Sequence, residues 1–232
     1  MKYVTLILLV AAIATTACDR NDATSATTVK SPDVAQMDPN EILFSTPTLN
    51  DALPAIENGA VATSGCIQLH EDDWRQFELV PRALKAQVDA ELLDINAIWE
   101  NHSVSLGESG TAFREVHVRN RILQPLTIPM STIEFAAFVG NDTKRMSFIG
   151  YGELLRDVHV AQIGNLMIYA HMEDGTVTAL GFDATEQFSL PADFGDRLRD
   201  FIAKHDLMLV HWRSRTLFES NGDVLKYFGA HK

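Results

Sequence analysis

The amino-acid sequence predicts an α+β fold in a single domain, with an antiparallel sheet of about five to seven strands and two or three helices on one face. Segments in which apolar and polar residues alternate with the period of a strand cluster in the second half of the chain. The sequences IGN (163–165) and EDG (173–175) suit the hairpin turns that would join three of these segments. Helical segments flank the cluster and do not follow each strand in turn, which is typical of α+β folds.

The clearest helix is predicted over residues 81–101. Pro81 suits its first turn, where the backbone N–H has no helical partner in any case. Apolar side chains recur at spacings of three and four residues, which places on one helix face Leu84, Val88, Leu92, Ile95 and Trp99. This face is expected to pack on the sheet.

Two shorter helices are predicted from different features. In residues 131–140, Ser131 and Glu134 have the spacing of a capping box, and Gly140 suits the C-terminal stop. Residues 191–205 carry their large apolar side chains along one helix face.

The strands are predicted from alternating or continuous apolar segments between these helices. They are residues 113–119, 146–151, 158–163, 166–172, 176–182 and 207–218. The sequence SNGD (220–223) predicts one further turn after the last strand.

The N-terminal residues have the composition of a secretory signal peptide that ends at a cysteine. Lys2 supplies a positive charge, and residues 4–14 are apolar at every position except Thr5. This apolar run is shorter than the roughly 20 residues that a membrane-spanning helix needs. Small residues, the last of them Ala17, then precede Cys18, as they do before a cleavage site.

This pattern resembles the lipobox of bacterial lipoproteins, in which a small residue precedes a cysteine that is acylated and becomes the first residue of the mature chain. Thr16 and Ala17 match the small positions, whereas Thr15 stands where that family usually has leucine or another aliphatic residue. The resemblance implies a lipid on Cys18 that anchors the protein to the inner or outer membrane of a bacterial envelope, facing the periplasm. The alternative is cleavage after Ala17 by an ordinary signal peptidase, which would leave Cys18 unmodified.

Residues 1–17 are therefore predicted to be a signal peptide, residues 18–64 the lipidated cysteine and a flexible tether, and residues 65–232 the globular domain. Within the tether, residues 19–40 are rich in Asp, Thr, Ser, Ala and Asn. Such a segment cannot bury enough apolar surface to offset the entropy of ordering it. Residues 41–64 contain more apolar side chains and are expected to pack partly against the domain.

The acidic composition restricts the partners. The formal net charge is −12, and it becomes −13 when Lys2 leaves with the signal peptide. Negative charge repels the phosphates of nucleic acids and anionic lipid headgroups, and it favours a basic protein partner. No glycine-rich phosphate loop, HExxH, CxxC or paired zinc spacing is present in the sequence, so no cofactor or metal is predicted. If Cys18 carries lipid, Cys66 has no disulfide partner and is expected to be a small buried residue or a free thiol.

The pattern Arg-acid-Val-His-Val occurs twice, at residues 114–118 and 156–160. If both segments are strands, the valines point to the core, and each acid and its histidine point together to the other face. The weak candidates for acid–base catalysis are therefore Asp157 and His159, with His117 as a further candidate.

The same alternation assigns more polar side chains to this face, and these are Arg119, Tyr169, His171, His211, Arg213 and Arg215. Four interpretations are open: the solvated side of an antiparallel sheet, a protein-binding face, a metal site built from two histidines and two carboxylates, and acid–base catalysis. For protein binding, the candidate contacts are Tyr169, His171, His211, Arg213 and Arg215.

Acidic residues precede the first predicted helix in LHEDDWRQFELVPR (69–82). One interpretation is an acidic helix N-terminus, with Trp74 and Phe77 entering the core. The other makes Asp72, Asp73 and Trp74 part of a binding surface for a basic partner.

Together these features predict a lipid-anchored periplasmic protein that acts by binding another protein. The narrower hypothesis is an inhibitor or immunity protein against a basic secreted toxin that targets the cell wall, because a neutralising protein must lie where the toxin acts. This layout resembles that of some secreted-toxin immunity lipoproteins. The alternatives are an envelope hydrolase that uses Asp157 and His159, and a structural accessory of the cell envelope.

Overall fold

A mixed sheet of nine strands forms the centre of the fold. The computed structural model describes residues 42–63, 65–119, 125–184 and 191–228, all within one compact unit, Pro39–Lys232. The predicted signal peptide, Cys18 and the predicted tether as far as residue 41 lie outside the described residues. None of the helices in the described part of the chain combines the length and the apolar character that crossing a membrane requires.

The described strands are β1 (Thr48–Asn50), β2 (Ile56–Val61), β3 (Ile67–Leu69), β4 (Phe77–Pro81), β5 (Ser103–Ser105), β6 (Thr111–Phe113), β7 (His117–Arg119), β8 (Ile128–Pro129), β9 (Lys144–Phe148), β10 (Glu153–Leu155), β11 (Val158–Ile163), β12 (Leu166–Glu173), β13 (Thr176–Ala184), β14 (Leu207–His211) and β15 (Thr216–Phe218). The described helices are α1 (Lys85–His102), α2 (Thr132–Val139), α3 (Ala192–Lys204) and α4 (Asn221–Tyr227).

The large sheet has the strand order β15-β14-β4-β13-β12-β11-β9-β3, and β8 pairs with one end of β13. Its pairs are antiparallel except β3–β9. Three two-stranded sheets accompany it, of which β1–β7 is parallel and β2–β10 and β5–β6 are antiparallel. The predicted mixture of helices and strands is confirmed, but the sheet has nine strands and is not wholly antiparallel.

Two of the additional strands, β1 and β2, lie in a segment without a strand-like sequence pattern. Residues 42–63, which the sequence assigns to the tether, include β1 and β2, and each of these pairs with a strand from later in the chain. No residue of β2 is fully buried, so this strand carries no clear alternation of apolar and polar residues. The predicted strand 113–119 is divided into β6 and β7 by a bend at residues 114–116.

Helices cover both faces of the large sheet, which corrects the prediction of helices on one face. The side chains of α2, α3 and α4 pack with Leu207 and Leu209 of β14 in one apolar cluster. The α1 helix packs on the other face, with Met208 and Val210. Strand β14 is thus buried on both sides, as its continuous apolar sequence indicates.

The α1 helix begins later than predicted, because residues 77–81 pair with β14 as strand β4 and a 3₁₀ turn follows at Arg82–Leu84. Its predicted apolar face is confirmed, since Val88 and Ile95 are fully buried. The predicted helix at 131–140 is confirmed as α2, including its capping box. Gly140 ends α2 with a φ of 71°, in the left-handed region that favours glycine.

Two predictions near the C-terminus are wrong. Residues 207–218 are not one strand but the hairpin β14–β15, with a turn at residues 212–215 where Arg215 has a φ of 58°. The predicted turn at 220–223 is the beginning of α4, because the hydroxyl of Ser220 accepts the backbone N–H of Asp223 at 3.1 Å and caps the helix.

Candidate functional site

A cleft of about 590 Å³, here called the Trp74 cleft, opens beside β12 and β13. Residues 52–55 and Pro125 form an apolar wall, and Trp74 contributes the indole. The charged and titratable lining residues are Arg75, Arg156, Asp157, His171 and Glu173. A concave site of this size, with an apolar wall and a few polar groups, is typical of small-ligand sites.

The indole of Trp74 is held in place from several directions. Its ring stacks on Tyr169 with ring centroids 4.8 Å apart, and its Nε1 donates to the carbonyl of Ala52 at 3.1 Å. Trp74 and Phe148 pack edge to face, with ring centroids 6.1 Å apart. Trp74 and Tyr169 are both buried, so neither side chain is free to contact a partner protein, although both were candidates for that role.

His171 lies on the polar side of the Trp74 cleft. Its Nδ1 is 3.1 Å from the hydroxyl of Thr178, and its Nε2 is 3.7 Å from a carboxylate oxygen of Glu173. Burial lowers the pKa of His171, while the nearby charges of Glu173 and Asp157 oppose that shift. This shift favours the neutral form of the imidazole at neutral pH.

A buried ion network lies behind Arg75. Glu78 is fully buried, and its carboxylate accepts hydrogen bonds from Arg75 Nε, from Arg119 Nη1 at 3.2 Å and from Trp212 Nε1 at 2.9 Å. The guanidinium of Arg119 also lies 4.5 Å from the centre of the Trp212 ring. Burial lowers the pKa of Arg119 to about 10, so it remains charged at neutral pH. Arg119 was predicted on a polar strand face and is instead part of the interior.

The predicted shared polar face does not form. Tyr169 and His171 share one face of β12, as predicted, and both contact Trp74. His159 points to the opposite face, because its cross-strand neighbour is Ala170, whereas that of His171 is Val158. Asp157 precedes β11 in a turn with a φ of 55°, so strand alternation does not pair it with His159. Asp157 instead lines the Trp74 cleft with His171.

His159 lines a second cleft of about 460 Å³, which also includes Cys66 and Arg145. Burial lowers the pKa of His159, the charge of Arg145 lowers it further, and Asp157 opposes both. The half-buried thiol of Cys66 is 3.6 Å from the hydroxyl of Ser147.

His117 belongs to a different part of the fold. Its Nε2 contacts the buried carboxylate of Glu91 on α1, and the carboxylate of Asp94 is 4.0 Å away. These contacts join β7 to α1. The two Arg-acid-Val-His-Val segments are therefore in unlike surroundings and do not build one site.

His211, Arg213 and Arg215 were predicted to share one face of a strand over residues 207–218. They point in different directions because β14 ends at His211. The His211 ring packs on Phe77 at 4.8 Å, and burial lowers its pKa to about 4. Arg213 pairs with Asp73, and Arg215 lies 4.2 Å from the centre of the Trp99 ring on α1.

Apart from the two clefts, the structure has an exposed surface, here called the Tyr151 patch, that consists of Glu71, Asp72, Asp73, Ile149 and Tyr151. Ile149 and Tyr151 are 55% and 37% exposed. The hydroxyl of Tyr151 donates to the carboxylate of Glu71 at 2.6 Å, and this hydrogen bond raises the pKa of the hydroxyl. Asp72 and Asp73 lie in a 3₁₀ turn and keep 29% and 27% of their side-chain surface exposed.

In the described part of the chain, no three His, Cys, Asp or Glu residues are grouped so that they could hold a metal ion. No protein-family model, curated protein or solved structure matches the chain.

Sequence reasoning missed the most heavily buried polar groups. Glu78 had a usable sequence signal, since it is a lone acid within the apolar strand FELV (77–80). A charge at such a position is stable in the interior only with a partner. The partners Arg75 and Arg119 carried no comparable signal, because the turn that holds Arg75 and the pairing of β7 with β1 that places Arg119 both depend on tertiary contacts.

Proposed function

We propose that this protein is a lipid-anchored lipoprotein of the bacterial envelope whose folded part binds another protein in the periplasm. The proposed partner is a basic secreted toxin that attacks the cell wall, which makes this chain an inhibitor or immunity protein. The sequence before Cys18 supports the lipid anchor, and the net charge of −12 favours a positively charged partner.

The observation that carries the binding proposal is the Tyr151 patch. It combines an exposed aromatic ring and an exposed isoleucine with three carboxylates on the adjacent turn. Aromatic anchors surrounded by polar residues are typical of protein interfaces. The carboxylates of Glu71 and Asp72 would also steer a basic partner toward the patch, whereas Asp73 is already paired with Arg213.

An envelope hydrolase is the second candidate. The observation in its favour is that the Trp74 cleft contains both Asp157 and His171, so an acid and a neutral imidazole share one open site. Hydrolysis of envelope material by the purified protein, lost in His171→Ala, together with the absence of any partner complex, would favour the hydrolase over the binding protein.

The binding proposal is tested by mixing the full chain, purified in detergent, with basic secreted enzymes that degrade the cell wall. We expect a stoichiometric complex that Ile149→Asp and Tyr151→Ala each weaken by at least about tenfold, because both remove exposed apolar contacts from the patch. Ile133→Asp is the matched control, since Ile133 is 80% exposed on α2, outside the patch. Equal effects of all three substitutions, or no complex, would refute the proposal.

The anchor is tested by expressing the wild type and Cys18→Ser in bacterial cells. We expect the variant to lose labelling by a radioactive fatty acid and to leave the membrane fraction, because the acyl chains supply the binding free energy, about 0.8 kcal/mol per buried CH₂. Unchanged labelling and unchanged membrane association would rule out Cys18 as the lipidated residue.

A further inference from the structure

The ion network behind the Trp74 cleft has more positive than negative charge. The two guanidinium groups of Arg75 and Arg119 share the single carboxylate of Glu78. The exposed fractions of these side chains are 13% for Arg75, 4% for Arg119 and 0% for Glu78. The other buried carboxylate nearby, Glu91, has its own partner in His117. A buried charge without a counter-charge is costly, so one further anion would stabilise this group.

The excess charge is accessible at Arg75 and not at Arg119. Arg119 uses Nε, Nη1 and Nη2 to bond Thr48, Glu78 and the carbonyl of Arg75. Arg75 bonds Glu78 through Nε alone, and within the described residues its Nη1 and Nη2 make no hydrogen bond. Since Arg75 lines the cleft, these two nitrogens are available to a ligand there.

The position of Arg75 is well defined before any ligand binds. Its φ of 55° is in the left-handed region, its backbone N–H donates to the Tyr169 hydroxyl at 2.7 Å, and its carbonyl accepts from Arg119 at 3.0 Å. A fixed guanidinium with both Nη atoms unbonded matches the geometry of a carboxylate, which accepts two parallel hydrogen bonds.

The polar wall beside His171 has the opposite character. Within the described residues, the carboxylates of Asp157 and Glu173 have no lysine or arginine within ion-pair distance. Arg156, adjacent to Asp157 in the chain, is the remaining cation of the lining. A ligand amine placed between the two carboxylates would be paired, and the apolar wall of residues 52–55 would contact the ligand's aliphatic part.

We propose that the Trp74 cleft binds a zwitterionic amino compound, either a free amino acid or a short peptide, with its carboxylate on Arg75 and its amine on Asp157 and Glu173. The cleft volume of about 590 Å³ is suitable for ligands of this size. This site lies outside the Tyr151 patch and does not depend on the partner protein proposed above.

The test is calorimetric titration of the full chain in detergent with chemically matched probes. The probes are Ala-Ala, Ala-Leu, Ala-Lys and Ala-Glu in L and D forms, the free amino acids, and for each dipeptide its C-terminal amide and its N-acetyl derivative. We expect at least one dipeptide or amino acid to bind. For a bound dipeptide, the amide and the N-acetyl form should each bind at least about tenfold more weakly, because each removes one charged hydrogen-bonding group.

Two variants assign the ends of the ligand to residues. Arg75→Gln should bind the dipeptide and its amide equally, and it leaves Glu78 paired with Arg119 in a balanced network. In Asp157→Asn, the asparagine can adopt the same left-handed backbone. The difference in affinity between the dipeptide and its N-acetyl form should be smaller in this variant than in the wild type. Asp174→Asn is the control, since Asp174 has a φ of 49° and is not part of the cleft. Binding of no probe, or unchanged discrimination in both variants, would overturn the proposal.

Discussion

Replacing Glu78 with glutamine is expected to lower the free energy of unfolding by about 3–5 kcal/mol, the cost of breaking a buried ion pair from one side. Glutamine keeps the shape of the side chain and a hydrogen-bond acceptor for Trp212 Nε1. Among the residues that the structure describes, the substitution removes the only negative charge within ion-pair distance of the buried Arg119 guanidinium. The loss is a large fraction of the 5–15 kcal/mol typical of a domain.

Urea denaturation of the wild type and the variant measures this difference. Glu57→Gln is the matched control, because Glu57 also pairs with an arginine, Arg145, but its side chain is 42% exposed. Exposed ion pairs contribute at most about 1 kcal/mol. If Glu78→Gln costs no more than Glu57→Gln, the charge of Glu78 does not stabilise the buried guanidinium groups of Arg75 and Arg119.

Gly181→Ala is the second substitution with a large expected cost. Gly181 is the cross-strand neighbour of Tyr169 on one side and of Glu78 on the other. An alanine Cβ at this position would lie 2.3 Å from Cζ of Tyr169 and 2.4 Å from its hydroxyl. The tyrosine ring cannot move away freely, because it is fully buried and stacks on Trp74, and its hydroxyl accepts the backbone N–H of Arg75. Overpacking of this kind costs about 1–3 kcal/mol, and we expect the upper end of that range.

The thermal midpoint and the urea midpoint of Gly181→Ala both report this cost. Gly152→Ala is the control, since a Cβ there meets no atom within 4 Å and the residue does not have a positive φ. Combining Gly181→Ala with Tyr169→Ala should cost less than the sum of the two single substitutions, because the ring that clashes is gone. Additive costs would show that the tyrosine ring is not the obstacle.

Local features of the fold were predictable from the sequence, and long-range features were not. The capping box of α2 and the hairpins of β11, β12 and β13 follow from residues that are close in the chain. The covering of both faces by helices had a sequence signal in the unbroken apolar run LMLV (207–210). By contrast, the parallel pairs β1–β7 and β3–β9 join segments that share no local pattern.

The candidate sites show the same limit. Alternation correctly placed Tyr169 and His171 on one strand face, but it could not show that Trp74 covers that face. Alternation failed for Asp157 and Arg215 because both adopt left-handed backbone in turns, with φ of 55° and 58°. Left-handed backbone is uncommon outside glycine; asparagine and aspartate adopt it occasionally and arginine rarely, so side-chain type alone did not predict it at these two positions.

Strand β4 lies between β13 and β14, and both neighbours come from much later in the chain. During synthesis from the amino terminus, both backbone edges of residues 77–81 therefore stay unpaired until residues 176–184 and 207–211 have been made. Pairings over such distances close slowly, and unpaired edges are prone to aggregation. Truncated chains that end before Leu207 should therefore aggregate unless chaperones bind them.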